Sequence, residues 1–479
     1  MHWRGIVWTL GMLAVFFGIS MIVPVFVAIY YQSGHAMQFV MAGMMVVLLG
    51  VLAMQWGGDA PERLSHKDGF LIVALAWIML SALGSIPFLT TGVCRGVVDA
   101  LFESTSGLTT TGATVLSGLD HLPPSILFWR SMQEWLGGMG IIVLAVAIMP
   151  MLGVGGMQLF KAEAPGPVKD KITARVTETA KVLWYLYLAM TMIAALALWL
   201  AGMSPFDAIN HAMCTVAIGG FSTHDASIGY FDSDVIRGLM VMFMLMAGVN
   251  FTLHFASLRR RFSPLVYFRD DEFRAYFKWF AFLIVMVGGI VVLSGKGTPM
   301  EALFNVVSVA TTTGFAVSDY AQWPPAANLL MLMSMFVGAC AGSTGGGMKV
   351  VRILLLFRQG KREIRRLIHP QGVIQVKLGG QNLSPTLASA LWGFFVLYLV
   401  SFAVIAVLVA LSGVDVLTAV SAAAACLTNT GPGFGEVGPV DNFAAIPGAG
   451  KAVLMGAMIL GRLEIYSFIV LLVPEFWRR

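Results

Sequence analysis

Apolar runs long enough to cross a bilayer recur along the whole 479-residue chain, and no polar stretch between them is long enough to build its own core. A spanning helix needs roughly 20 apolar residues. Ten candidates lie near 6–31, 37–56, 70–92, 125–152, 182–202, 233–256, 276–295, 326–357, 386–412 and 449–473. Only 11% of residues are charged, against about 25% in soluble domains. The pattern predicts an all-α polytopic membrane protein with one membrane domain. The run Ile6–Tyr30 is longer than a signal-peptide core and lacks a small-residue cleavage site, so it reads as a retained first span.

Charge alternates between the loops. Arg63, Lys67, Lys161, Lys169, Lys171, Arg175, Lys181, the Arg259–Arg261 run, Arg269, Arg274, Arg358, Lys361, Arg362, Arg365, Arg366, Arg478 and Arg479 mark one side. Asp120, Asp225, Asp232, Asp234, Asp319, Glu436 and Asp441 mark the other. The positive-inside rule makes the basic side cytoplasmic, and an even number of spans puts both termini there. The net charge of +5 therefore reports orientation and not nucleic-acid binding. Cys94, Cys214, Cys340 and Cys426 are scattered without CxxC spacing, which argues against a disulfide framework or a zinc site. The 30 methionines read as lipid-facing and core packing. No HExxH, GxSxG, GKS or GKT is present, so neither an enzyme nor a nucleotide site is expected on this chain.

Four short polar stretches interrupt the apolar pattern on the acidic side, and they align on Gly112, Gly220, Gly314 and Gly431. Thirteen residues earlier stand Asp99, Asp207, Glu301 and Thr418, each expected to cap a helix and each followed by alanine. A helix filling that interval reaches only about halfway through a core roughly 30 Å thick, so it must dip in and return. The returning segments carry the candidate cation-binding residues: Thr110, Thr111 and Gly112; Ile218, Gly219 and Gly220; Thr312, Thr313 and Gly314; Asn429, Thr430 and Gly431. Non-helical backbone at membrane depth must line a cavity or be buried in protein. Glycine allows positive φ, so four such segments around an axis can present rings of carbonyl oxygens that replace the hydration shell of a large monovalent cation. For one segment alone, close helix packing explains the glycine equally well. Four copies at fixed offsets do not fit that explanation.

Two further features stand out. Five glycines from Gly338 to Gly347, including Gly342, Gly345 and Gly346, should break the helix there, although a close helix crossing is an alternative. Arg462 lies about twelve residues into the last span, too deep to snorkel, so it should face water or a partner. Glu464 faces another direction and is no simple helical partner. Glu103 and His211 share one short-helix position and are expected to anchor the segments from behind. Arg130 and Glu134, four apart, are spaced to pair, and Asn250 and His254 are expected to bond between helices.

The stretches TTTGATVLSGLD, AIGGFSTHD, ATTTGFAVSD, LTNTGPGFGEVGP and GACAGSTGGGMKVVR resemble the TrkH/Ktr/HKT superfamily of potassium transporters, over the entire chain. The resemblance implies two N-terminal helices (1–68) and four pseudo-symmetric repeats of outer helix, pore helix, filter and inner helix around a pore (69–178, 179–274, 275–384, 385–479). It implies potassium as the transported ion bound in the filter, with Gly112 in place of serine favouring potassium over sodium. It makes residues 338–348 an intramembrane gating loop, with Lys349 and Arg352 in the cytoplasmic resumption of the helix, and puts Arg462 in the pore below the filter. It further implies a homodimer in the bacterial inner membrane, contacting lipid and controlled by a cytoplasmic TrkA-type subunit that binds NAD(H) or ATP/ADP. The basic segments 257–274 and 358–377 are the expected docking sites. The alternative on this scaffold is a potassium symporter coupled to protons or sodium.

Overall fold

The computed structural model describes residues 1–59, 65–143, 170–261, 263–372 and 374–478. Arg63, Lys161, Lys169, Arg479 and the end of the fourth expected span, residues 144–152, lie outside the described residues. Helices dominate, and the strands among the described residues are the short pair Lys377–Leu378 and Gln381–Asn382.

Two spans come first. Helices α1 (Trp3–Ser20) and α2 (Ile22–Tyr30) run on as one, and α3 (Ala36–Gly57) packs back along α1. A Cβ on Gly50 would stand 2.7 Å from the Gly11 carbonyl oxygen, so the two backbones touch. Close approach of this kind is what holds helices together in lipid.

A unit of long helix, short helix, glycine segment and second helix then recurs four times. The first comprises α4 (His66–Gly84), α5 (Val97–Leu108) and α6 (Pro124–Val143). The second comprises α7 (Asp170–Leu200), α8 (Pro205–Ala217), α9 (Asp234–Ala247) and α10 (Phe251–Arg259). The third comprises α11 (Asp271–Leu293), α12 (Pro299–Ala310), α13 (Pro325–Val337) and α14 (Val350–Ile368). The fourth comprises α15 (Pro385–Ala410), α16 (Val416–Leu427), α17 (Gly448–Arg462) and α18 (Tyr466–Ile469). The expected boundaries at 69, 179 and 275 cut through α4, α7 and α11, whereas 385 coincides with a helix start. The C-terminal parts of the short helices α5, α8, α12 and α16 and their glycine segments are buried, while the long helices leave Met44, Leu196, Val285 and Val404 exposed.

The short helices start differently from expectation. Asp99, Asp207, Glu301 and Thr418 are each the third helical residue, and the caps stand three earlier, at Gly96, Ser204, Thr298 and Asp415. Ser204, Thr298 and Asp415 accept the backbone N–H of Asp207, Glu301 and Thr418. In α12 the Glu301 carboxylate returns the favour, accepting Thr298 N at 2.7 Å. An acidic third residue also suits the positive end of the helix dipole.

Six described helices or continuous helix pairs are long and apolar enough to cross a membrane, or up to eight if each bent pair is one span. Ten were expected, and the difference lies in the second helices of the units. Helices α9 and α10 meet at 93°, and Gly448–Arg462 meets Tyr466–Leu472 at 111°. Helix α13 stops at Val337 and α14 begins only at Val350. Helix α6 carries Arg130, Gln133 and Glu134.

Thr298→Ala removes the cap of α12 and should cost about 1 kcal/mol. The expected readout is a lower melting temperature in detergent, with Thr298→Ser close to the parent because it keeps the acceptor.

Candidate functional site

All four short helices end in the same way. The residue two before each aligned glycine, Thr110, Ile218, Thr312 or Asn429, has φ +51°, +55°, +68° or +56°. The next N–H reaches back five residues: Thr111 to Ser106 O at 2.8 Å, Gly219 to Cys214 O at 2.9 Å, Thr313 to Ser308 O at 2.8 Å, Thr430 to Ala425 O at 2.8 Å. This is a left-handed helix stop, normally given to glycine. Gly112, Gly220, Gly314 and Gly431 follow at φ +79°, +89°, +93° and +94°. Positive φ at alternate residues turns successive carbonyls toward one side.

The four segments close a ring. A Cβ on Gly112 would stand 2.1 Å from Gly219 O, one on Gly220 2.1 Å from Thr313 O, one on Gly314 2.2 Å from Thr430 O, and one on Gly431 2.5 Å from Thr111 O. Each glycine thus abuts the carbonyl preceding the next glycine, and the fourth returns to the first. The C-terminal ends of four short helices converge on these oxygens, and their partial negative charge favours a cation. On one side a cavity of about 250 Å³ opens, lined by Gly112, Gly220, Gly314, Pro432, Asp225 and Asp441 among others.

Bracing differs between segments. The hydroxyls of Thr109 and Thr111, Thr311 and Thr313, and Thr428 and Thr430 are each 2.7 Å apart. The second segment has Ala217 and Gly219 in those places, and the Glu134 carboxylate accepts Phe221 N there at 3.1 and 3.2 Å.

Further back, Glu103 accepts Val115 N at 3.0 Å, and His211 Nε2 meets Ser222 Oγ at 2.9 Å, so both tie down the chain that leaves the ring. Sequence reasoning missed their counterparts. Asn305, at the same offset from its glycine, accepts Val317 N at 3.1 Å, and Ser421, one residue out of register, accepts Phe434 N at 3.0 Å. Arg130 does not pair with Glu134. Its Nε donates to Glu103 at 2.8 Å, its Nη1 donates to Ser222 O at 3.0 Å, and its guanidinium lies 4.1 Å from the Phe221 ring centroid. Both carboxylates are buried and each accepts a backbone N–H, from Val115 in the case of Glu103 and from Phe221 in that of Glu134, and the guanidinium goes to Glu103.

Across the ring from the cavity lies the segment between α13 and α14. Gly338, Gly342 and Gly347 take φ +69°, +69° and +73°, which ends the helix where the glycines predict. Gly346 N donates to Thr312 Oγ1 at 2.7 Å, Gly347 N to Thr428 O at 3.0 Å, and Thr344 Oγ1 to Val216 O at 2.9 Å. A Cβ on Gly345 would stand 3.0 Å from Thr311 O, and one on Gly346 2.0 Å from Thr428 O. The segment is pressed against the ends of three short helices. Arg462 ties it to the first unit, its Nη1 donating to Thr344 O at 2.9 Å and its Nη2 to Gly137 O at 3.2 Å. Arg462 is the last residue of α17, at a bend and not within a continuous span.

Other neighbours also depart from expectation. Lys349 and Arg352 are buried: Lys349 Nζ donates to Gly345 O, and Arg352 pairs with Glu464. Asn250 caps α10 by accepting Thr252 N at 2.9 Å, instead of bonding between helices. His254 does bond between helices as expected, reaching Met246 O and Tyr267 Oη, each at 2.9 Å. No sequence pattern marks Glu272, whose Oε1 accepts Ala341 N at 2.7 Å and Val351 N at 3.1 Å, holding the glycine segment at two points.

A family profile described as TrkH, cation transport protein, matches residues 35–479. The chain belongs to the TrkH family. The Trk system potassium uptake protein TrkH of Vibrio parahaemolyticus is 48% identical over 487 residues, and that of Escherichia coli K12 is 48% identical over 488, covering all of both chains in each case. The crystal structure of the potassium transporter TrkH from Vibrio parahaemolyticus matches with TM-score 0.92 and 45% identity, covering 100% of each chain. As a TrkH-family member the chain is a multi-pass membrane transporter and not an enzyme, and the four-unit architecture expected from its repeats is the one observed.

In this TrkH-family chain, Gly220→Ala is expected to abolish transport while leaving the protein monodisperse, because its Cβ meets Thr313 O. Uptake in a potassium-requiring strain, with gel filtration of the variant, checks both halves.

The loops on the cavity side of the ring carry a pH-dependent tie. His224 Nδ1 lies 2.5 Å from Asp120 Oδ1, its Nε2 lies 3.4 Å from Asp207 Oδ1, and its ring stacks on Tyr230. Burial disfavours the imidazolium, but the contacts with Asp207 and Asp120 outweigh it and raise the imidazole above its ordinary 6.5. The hydrogen bond from His224 holds the Asp120 carboxyl below its usual value, an effect confined to acid. The His224 contribution is therefore complete below pH 6.5 and lost as pH rises through the raised value. The melting temperature should fall across that window, and His224→Gln should flatten the fall.

Proposed function

We propose that this chain conducts potassium across the membrane through the ring formed by Thr110–Gly112, Ile218–Gly220, Thr312–Gly314 and Asn429–Gly431. The observation that carries the reading is the closed cycle of glycine-to-carbonyl contacts, which leaves four backbone oxygens in one layer where short helix dipoles converge. Such a layer substitutes for the hydration shell of a large monovalent cation, and potassium agrees with the names of the relatives. Repeats that start at His66, Asp170, Asp271 and Pro385 build the pore.

The 338–348 segment is the gate in this reading. Gly342, Gly345, Gly346 and Gly347 let it lie under the ring, and Arg462 sets a positive barrier there while pinning Thr344 O. No coupling ion is required at modest gradients, since each charge gains about 2.3 kcal/mol per 100 mV against about 1.4 kcal/mol per tenfold gradient. The relatives are named as parts of a Trk system. A cytoplasmic TrkA-type subunit sensing NAD(H) or ATP/ADP, a homodimer, and an inner-membrane location with both termini inside complete the proposal. Docking would use 257–274 and 358–377, where α14 presents Lys361, Arg362, Arg365 and Arg366.

Purified protein in liposomes under a negative-inside potential at symmetrical pH should take up potassium in preference to sodium. Gly112→Ser should lose that preference. Uptake that needs a proton or sodium gradient would replace the pore with a coupled transporter. Deleting 342–347 should raise the flux, and an unchanged flux counts against the gate.

A further inference from the structure

We infer that Glu134 is a specificity-determining positioning residue: the first unit lends a carboxylate to the second ring segment in place of the threonine pair that braces the other three. This rests on the pore reading above and deepens it.

In the first, third and fourth segments the residue just before the ring glycine is a threonine. Its hydroxyl meets a second threonine hydroxyl at 2.7 Å. That second threonine is fixed in turn to the short helix: Thr109 Oγ1 donates to Thr105 O at 2.7 Å, Thr311 Oγ1 to Val307 O at 2.7 Å, and Thr428 Oγ1 to Ala424 O at 2.8 Å. The carbonyl that forms the ring belongs to the braced residue. In the second segment both hydroxyls are missing, because the residues are Ala217 and Gly219.

Glu134 occupies the vacated volume. A Cβ built on Gly219 would stand 2.3 Å from both Cδ and Oε2 of Glu134, so a threonine at 219 would require the Glu134 carboxylate to leave its present place. The carboxylate is fully buried and accepts Phe221 N through both oxygens. Phe221 directly follows the ring glycine Gly220. The carboxylate therefore packs on the residue before that glycine and bonds the residue after it, fixing the arc that carries Gly219 O. Arg130, the nearest basic residue along α6, is committed to Glu103, so among the described residues no ion pair claims Glu134.

Discrimination between potassium and sodium depends on the size and field of the oxygen layer. Freeing one of its four sides should degrade selectivity before it degrades throughput. Proteoliposome fluxes of potassium and sodium would be compared for wild type, Glu134→Ala, Glu134→Gln and the triple variant Glu134→Ala/Ala217→Thr/Gly219→Thr, each checked for monodispersity. Glu134→Ala is expected to lower the potassium-to-sodium ratio several-fold. Glu134→Gln, which keeps an oxygen for Phe221 N, should retain most of the ratio, and the triple variant should recover it by rebuilding the brace of the other segments. A folded Glu134→Ala with the wild-type ratio overturns the inference. Should that variant not fold, a ratio in Glu134→Gln near wild type supports it, and a lost ratio in that well-folded, isosteric variant overturns it. Failure of the pore reading shows separately, as absent uncoupled potassium flux in the wild type.

Discussion

Everything in the centre of this protein follows from one contact made four times, the Cα of a glycine against the carbonyl oxygen that precedes the next glycine. Unpaired carbonyls cannot face lipid, so the ring must be enclosed, and the short helices, their anchors and the surrounding long helices do the enclosing. The ring in turn forces the left-handed helix stops at Thr110, Ile218, Thr312 and Asn429, each of which costs about 1–3 kcal/mol outside a context that over-determines it. Threonine pairs, Glu134 and the anchors Glu103, His211, Asn305 and Ser421 supply that context.

Beneath the ring the membrane interior holds charge. Arg462, Lys349, Arg352, Glu464 and Glu272 are each met by a carbonyl, a backbone N–H or one another. Such contacts are directional and exchangeable, unlike close-packed apolar side chains, which suits the gating role proposed for the segment. Two of the second helices bend beside it. Cys340 N bonds Gly248 O at 2.9 Å and Phe251 N bonds Gly342 O at 3.1 Å, so the bend between α9 and α10 exists to receive the glycine segment.

The repeat was legible because its period is written in glycines and helix starts that backbone geometry demands. The capping residue was misplaced by three because the residue that aligns across repeats is the third of each helix, Asp99, Asp207, Glu301 or Thr418, and it reciprocates the cap as a capping box at Glu301, while the caps themselves vary between Gly96, Ser204, Thr298 and Asp415. The bend at Gly248–Asn250 carries a glycine and an asparagine that reasoning about breaks could have used. The bend after Arg462 carries no such mark. Glu464 and Ile465 hold φ +53° and +59°, a conformation that a β-branched residue adopts only when packing imposes it. Partner choice was the least legible layer. The four-residue spacing of Arg130 and Glu134 suggests a pair, yet in the fold Arg130 reaches across to Glu103, and Glu134, equally buried, meets the second segment.

The proposed pore requires that the four carbonyls before the ring glycines coordinate the transported ion. Crystals grown in rubidium or thallium, with anomalous difference maps, test it directly. A peak on the axis, within bonding distance of the Thr111, Gly219, Thr313 and Thr430 oxygens, is the expected result. Cations found only in the cavity beside the ring or beside acidic side chains, with none at the carbonyl layer, would contradict it.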